Sequence, residues 1–256
     1  MALRFWRATR PQFLTASVLP VLVGTAWGSA VSGRFEAASA LFFLVGMVFG
    51  HAAGNVLNDV CDDISGNDAL NEDRISPFTG GSRTIQDALL TRRTMGRFAF
   101  FLLVGCAATA LYLVPAHGVT VLFFGLGMAA LLLAYHLPPL KLNHRGLPEL
   151  LVGLAFGILP VGMAAWLQGA PLDAGVVLVG LPVSFWIANV LLINEVPDRD
   201  ADARVAKRTL VVLLGARAAL LVHAGITVTA LAVIAWASMT LAILPWWSLT
   251  LPGLLS

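Results

Sequence analysis

Residues Asn55 to Asp68 read NVLNDVCDDISGND and residues Asn194 to Asp202 read NEVPDRDAD, two acidic segments in a chain that is otherwise nearly continuous hydrocarbon. At helical spacing Asn55, Asn58, Asp59 and Asp62 fall at i, i+3, i+4 and i+7 and share one face, with Asp68 just past Gly66. Glu195, Asp198 and Asp202 repeat the pattern at i, i+3 and i+7. Carboxylates are among the costliest groups to set beside a bilayer, so two such sets at the ends of apolar helices call for a partner of opposite charge. Magnesium prefers a few carboxylates completed by water and phosphate oxygens, which makes the two sets facing halves of a Mg2+–diphosphate site.

Outward from these segments the chain is 58% hydrophobic and 12% charged, with a mean hydropathy of +0.84. A soluble domain carries about 25% charged residues, so the composition excludes that class and points to an all-α, polytopic membrane bundle. Stretches long enough to span occur at about Phe13–Val31, Ala37–Leu57, Met95–Val114, Val119–Leu137, Leu147–Leu167, Gly175–Ile193, Val212–Trp236 and Ser238–Leu255, eight in all. The first follows Arg4, Arg7 and Arg10 without a small-residue cleavage site and is expected to be retained. Residues 1–256 are read as a single domain. The end at Ser256, straight after an apolar stretch with no basic anchor, leads us to expect a missing or shortened last span.

Of the 16 Lys and Arg residues, all but Arg34 fall in the N-terminus, in the connections after spans two, four and six or, as Arg97 and Arg217, near the start of the span that follows such a connection. By the positive-inside rule that face is cytoplasmic, and it also carries both acidic segments; the expected location is the plasma (inner) membrane. Two cysteines, Cys61 and Cys106, and five dispersed histidines form neither a disulfide framework nor a zinc pattern. No nucleic-acid partner is expected, and nothing in the sequence speaks to oligomeric state.

Asp62 and Asp202 lie 140 positions apart, which suggests two pseudo-repeated halves around a central cavity. Each half would end an even-numbered span in acids and continue into a basic loop. Arg74, Arg83, Lys141, Arg145 and Lys207 belong to those loops and are the candidate diphosphate-binding groups, arginine as a bidentate donor and lysine as a point charge. A diphosphate leaving an allylic carbon generates a carbocation, which survives only where water is excluded. Asn55, Tyr135 and Asn194 are the candidate cavity residues.

At these residues the chain resembles the UbiA superfamily of intramembrane prenyltransferases. Asn58-Asp59-Val60-Cys61-Asp62 matches its N-D-x-x-D motif after the second helix, and Asp198-Arg199-Asp200-Ala201-Asp202 matches the D-x-x-x-D motif after the sixth. Where much of the family has a further aspartate, four residues past the first motif, this chain has Gly66 and then Asp68. That pattern looks like the branch that prenylates 1,4-dihydroxy-2-naphthoate in menaquinone synthesis. Also similar are Arg7-Ala8-Thr9-Arg10-Pro11, the loop Pro77 to Arg83 (PFTGGSR), the run Tyr135 to Gly146 (YHLPPLKLNHRG) and Ala206-Lys207-Arg208-Thr209-Leu210, in which Ala206 stands where the branch usually has glycine.

The resemblance implies nine helices, where we count eight, and a Mg2+-dependent transferase of prenyl groups. It implies metal binding by Asn58, Asp59, Asp62, Asp68, Asp198 and Asp202, with Asp62, Asp198, Asp202 and Lys141 carrying the chemistry. Its substrates would be a polyprenyl diphosphate and a small aromatic acceptor. Three alternatives stay open: another phenolic acceptor such as 4-hydroxybenzoate, a membrane terpene cyclase of the same fold, and a cation transporter. The last would want its acids near the bilayer midplane rather than beside basic loops.

Overall fold

The computed structural model describes residues 1–146 and 148–241. A short helix, α1 (Ala2–Ala8), and a 3-10 turn (Pro11–Phe13) lead into α2 (Thr15–Ser32) and α3 (Ala37–Ser65). A short α4 (Asn67–Leu70) and a long loop lead to α5 (Arg92–His117) and α6 (Thr120–His136). Next come α7 (Pro148–Leu167), α8 (Ala174–Arg204), the short α9 (Leu210–Leu214) and α10 (Ala216–Thr240). No strand occurs among the described residues.

Six of these helices are long and apolar enough to cross a membrane, and α6 is a seventh, shorter apolar helix. They answer to the first seven expected spans, while most of the eighth, Ser238–Leu255, lies outside the described residues. Two boundaries move. The span expected to stop at Leu57 runs on to Ser65, and the one expected to stop at Ile193 runs on to Arg204, so both acidic segments continue their helices rather than opening loops. Polar residues lose nothing in a helix that has emerged from hydrocarbon, since its backbone bonds are already internal. The expected span from Val212 is instead divided at Gly215, whose φ of +82° separates α9 from α10.

Helix α2 packs against α7, α3 against α5, and α8 against both α7 and α10. Small residues permit the closest crossings. A Cβ at Gly28 would lie 2.7 Å from Ala165 Cα, and one at Gly157 would lie 2.7 Å from the Ser184 nitrogen. Helix α7 also changes pitch: Leu154–Ile158 form a π turn. Pro160 has no N–H for the Phe156 carbonyl, and Ser184 Oγ, on α8, accepts from the Ile158 N–H at 2.8 Å. The widened turn brings Ala155 and Phe156 to a central cavity. Outward-facing Phe100, Phe101, Phe123 and Leu221 are two-thirds or more exposed, as hydrocarbon-facing side chains require.

Candidate functional site

The cavity measures about 310 Å³ and runs between the helices from the acid-bearing ends of α3 and α8 into the apolar interior. Met47, Phe124, Met128, Leu132, Phe156 and Ile187 wall its apolar part. His51, Asn55, Asn58 and Asp62 line it along one stripe of α3, and Asn194, Glu195 and Asp198 line it from α8. Extension of both helices past the hydrocarbon therefore places the acids at one end of the cavity. Tyr135, from the end of α6, completes the wall, so all three expected cavity residues reach it.

The two acidic sets are tied by the segment after α3. Asn67 Nδ2 donates to Asp202 Oδ1 at 2.8 Å, Asn71 Nδ2 donates to Asp198 Oδ1 at 2.6 Å, and the Gly80 N–H reaches Asp198 Oδ2 at 3.4 Å. Gly80 and Gly81 have φ of +71° and +74°, and a Cβ at Gly81 would stand 2.9 Å from Asp68 Oδ1. Only glycine makes this turn and leaves the Asp68 carboxyl its place. Asn58 Nδ2 donates to Asp62 Oδ2 at 2.5 Å, and Asp68 accepts a 3.4 Å bond from Gln86 Nε2.

Asp59 sits apart from these. It is buried off the cavity and takes donors from Arg10 Nη2, Ser82 Oγ and, at 3.2 Å, the Ser82 N–H. Its partners anchor the N-terminal segment and the Thr79–Arg83 turn to α3. Among the expected basic residues, Lys207 lines the cavity and holds Asp202 Oδ1 at 3.2 Å. The other four point elsewhere. Arg74 is exposed and donates to the Asn71 carbonyl at 3.4 Å, and Arg145 turns back to the Pro139 carbonyl at 2.8 Å. Arg83 donates to the Asp68 carbonyl, and Lys141 Nζ meets His144 Nε2 at 3.2 Å. Each bonds within its own loop.

Arg10, Asn67 and Asn71 are site residues that the acidic pattern did not disclose. Arg10 lies in the segment Arg7 to Pro11, but its distance from the acids in sequence hides its role. Burial works against its charge, yet Asp59, Asp68 and Asp62 together raise its pKa. Burial likewise opposes the Lys207 ammonium, and Asp202 and Asp62 more than reverse it, so Lys207 stays protonated. His144 goes the other way: burial first, then Lys141 and Lys207, lower its pKa to about 4. Neutral at pH 7, it accepts the Lys141 proton at Nε2 and donates from Nδ1 to Asn143 Oδ1 at 2.9 Å. Asp68 is pushed up to about 8, by burial and then by Asp62, against the pull of Arg10.

Among the described residues no three His, Cys, Asp or Glu side chains form a ready metal cluster. The acids are instead spread over two helices and bridged by asparagines. Yet the oxygen set suits a hard divalent cation: Asn67 Oδ1, Asn71 Oδ1 and Asp202 Oδ2 are buried with no hydrogen-bond donor among the described residues. Each such atom costs about 1–3 kcal/mol unless a donor or cation reaches it. The arrangement can hold a cation and a multiply charged anion together, with Lys207 and Arg10 beside them.

The profile of the UbiA prenyltransferase family matches residues 17–256. "UbiA prenyltransferase domain-containing protein 1" of Dictyostelium discoideum is 30% identical over 225 residues, covering 86% of this chain and 66% of that protein. "1,4-dihydroxy-2-naphthoate octaprenyltransferase" of Haemophilus influenzae is 26% identical over 244 residues, 92% of this chain and 77% of its own length. The chain thus spans about two thirds to three quarters of these relatives. In structure, a UbiA homolog from Archaeoglobus fulgidus, bound to DMAPP and Mg2+, superposes with a TM-score of 0.70 at 18% identity, over 91% of this chain and 77% of that one.

Proposed function

Since the chain belongs to the UbiA prenyltransferase family, we propose that it transfers a polyprenyl group from a polyprenyl diphosphate to an aromatic acceptor, 1,4-dihydroxy-2-naphthoate, in menaquinone synthesis. The observation that carries this reading is the join between two environments. Unsatisfied oxygens of Asp202, Asn67 and Asn71 stand beside Lys207 at one end of a cavity whose remaining length is apolar. A diphosphate suits the first and an isoprenoid tail the second. The Haemophilus relative carries the naphthoate in its name, and the Archaeoglobus structure holds DMAPP with Mg2+.

Asn58, Asp62, Asp68, Asp198 and Asp202 would hold magnesium, together with diphosphate oxygens. When bound, the ion neutralises the leaving group's charge. Lys207 binds the diphosphate directly, and Arg10 adds positive charge at the same end. Arg83 and Lys141 join them if their loops shift on binding, as basic loops often do around anionic ligands. Asp59, fully engaged by Arg10 and Ser82, holds the loop in position. The apolar walls exclude water from the allylic cation, and the ring of Tyr135 offers it a negative π face. By the positive-inside count, the acid end faces the cytoplasm.

Purified protein given radiolabelled polyprenyl diphosphate, dihydroxynaphthoate and Mg2+ is expected to form a lipid-soluble prenylated product. Asp62→Ala and Asp202→Ala should abolish it, and an undiminished yield in both would refute their metal roles. A cyclised hydrocarbon formed without acceptor would instead identify a terpene cyclase. Preference for 4-hydroxybenzoate would move the chain to another acceptor.

A further inference from the structure

One polar side chain in the cavity wall has no part in prenyl transfer as described. Along α3, His51 is the innermost polar residue that lines the cavity, two turns and about 10 Å beyond Asn58, where the walls have become hydrocarbon. Its ring is held on two sides. Ser17 of α2, itself fully buried, meets Nδ1 through Oγ at 2.9 Å, and the Phe156 ring from the π turn of α7 lies against it with centroids 4.4 Å apart and planes tilted by 47°. The residue is only 8% exposed, and its Nε2 has no partner among the described residues.

Its polar neighbours in the wall are already engaged. Asn55, one turn nearer the mouth, gives Nδ2 to the Thr9 carbonyl at 2.9 Å, and Thr109 from α5 gives its hydroxyl to the Cys106 carbonyl at 2.7 Å. Deeper in, Met47 and Phe124 offer only hydrocarbon. An imidazole nitrogen left open among apolar walls is a standing cost, removed when a ligand brings it a hydrogen-bonding group. A prenyl tail has none. A phenol has one, and because a hydroxyl both donates and accepts, it pairs with Nε2 in either tautomer that the Ser17 contact permits. The interval between Asn58 and His51 is also where an acceptor ring must lie to meet C1 of a prenyl chain whose diphosphate is held at the acidic end.

We propose that His51 binds a ring hydroxyl of the aromatic acceptor through Nε2, with Ser17 and the Phe156 ring fixing the imidazole; the assignment rests on the prenyl-transfer reading above. It makes the π turn of α7 part of acceptor recognition. By widening the helix ahead of Pro160 the turn carries Phe156 to the cavity, where its ring backs the imidazole and leaves one nitrogen for the substrate. A pocket built to hydrogen-bond a substrate hydroxyl rejects analogues that lack it, since the protein group is then left unpaired.

The full chain is assayed in lipid nanodiscs with Mg2+, a polyprenyl diphosphate and dihydroxynaphthoate, as wild type, His51→Phe and Ser17→Ala. His51→Phe is expected to raise KM for dihydroxynaphthoate about tenfold or more, with KM for the diphosphate within about threefold. Ser17→Ala should move the acceptor KM the same way by less, a split between the two substrates that a merely structural role would not produce. A second measurement needs no variant. With 1-hydroxy-2-naphthoate and 4-hydroxy-2-naphthoate as competing inhibitors of the wild type, the one lacking the bound hydroxyl should inhibit about tenfold more weakly than the other, and in His51→Phe the two should converge. An active wild type that does not distinguish the two analogues, or whose His51→Phe variant keeps its acceptor KM within about threefold, overturns the assignment alone. A wild type that prenylates no phenol overturns the prenyl-transfer reading, and this role with it.

Discussion

Ala206 occupies a backbone position with φ of +55°, the left-handed region in which a Cβ crowds the following carbonyl. Its N–H closes a turn to the Ala203 carbonyl, and the next residue, Lys207, is thereby delivered to Asp202. Glycine, usual here in the naphthoate branch that the chain resembles, would make the same turn without strain. Ala206→Gly is expected to raise stability by about 0.5–1 kcal/mol in thermal melts while leaving Lys207 in place. Asp68 gives a prediction in pH. Its carboxyl ordinarily titrates at 3.8 and is held at about 8 in the fold, so the stability it contributes is complete below about 4 and is lost as pH rises through about 8. Melting of the metal-free protein should therefore fall over that window, and Mg2+ should flatten the fall. Binding requires the carboxylate, so titrating Mg2+ into weakly buffered protein at about pH 7 should release close to one proton, and near none above about pH 9.

At the scale of elements, the sites of closest approach are testable one crossing at a time. A Cβ at Gly28 of α2 would meet Ala165 Cα at 2.7 Å and Gln168 Cβ at 2.8 Å, whereas one at Gly225 of α10 would meet nothing within 4 Å. Gly28→Ala is expected to cost about 1–3 kcal/mol by overpacking, and Gly225→Ala to be neutral or to gain up to about 1 kcal/mol of helix propensity. Fluorescence-detected size exclusion after graded heating in detergent separates the two. Elements were also where the sequence could be read best. Apolar stretches long enough to span mark the helices on their own, and the i, i+3, i+7 spacing of Glu195, Asp198 and Asp202 identifies a shared face before any contact is known. Asn67, Asn71 and Arg10 lacked such a signal. Their partners, Asp202, Asp198 and Asp59, lie 135, 127 and 49 positions away, and no local period encodes a pairing at that distance. The basic loop residues are ambiguous for the opposite reason: the positive-inside pattern supplies arginines to such loops whether or not they touch a site, and Arg74, Arg83, Lys141 and Arg145 bond within their own loops while Lys207 lines the cavity.

For the whole molecule, the concentration of Lys and Arg at one end predicts an orientation that labelling can check. In a variant lacking Cys61 and Cys106, a cysteine placed at Gly118 should react with a membrane-impermeant maleimide added to intact cells, and one at Glu72 only after lysis. The reverse pattern would overturn the assigned orientation. One acidic set lies on the second and the other on the sixth of the long apolar helices, and Asn67 and Asn71, just after the first set, bond to Asp202 and Asp198 of the second. The cavity joins a charged mouth to a hydrocarbon interior within a single enclosure. In the proposed reaction its two products would have opposite solubilities, one salt-like and one oil-like, so each would depart down its own partition gradient, into water or into lipid. On that reading the molecule would act as a miniature phase boundary, the demixing of the products setting the direction of their release.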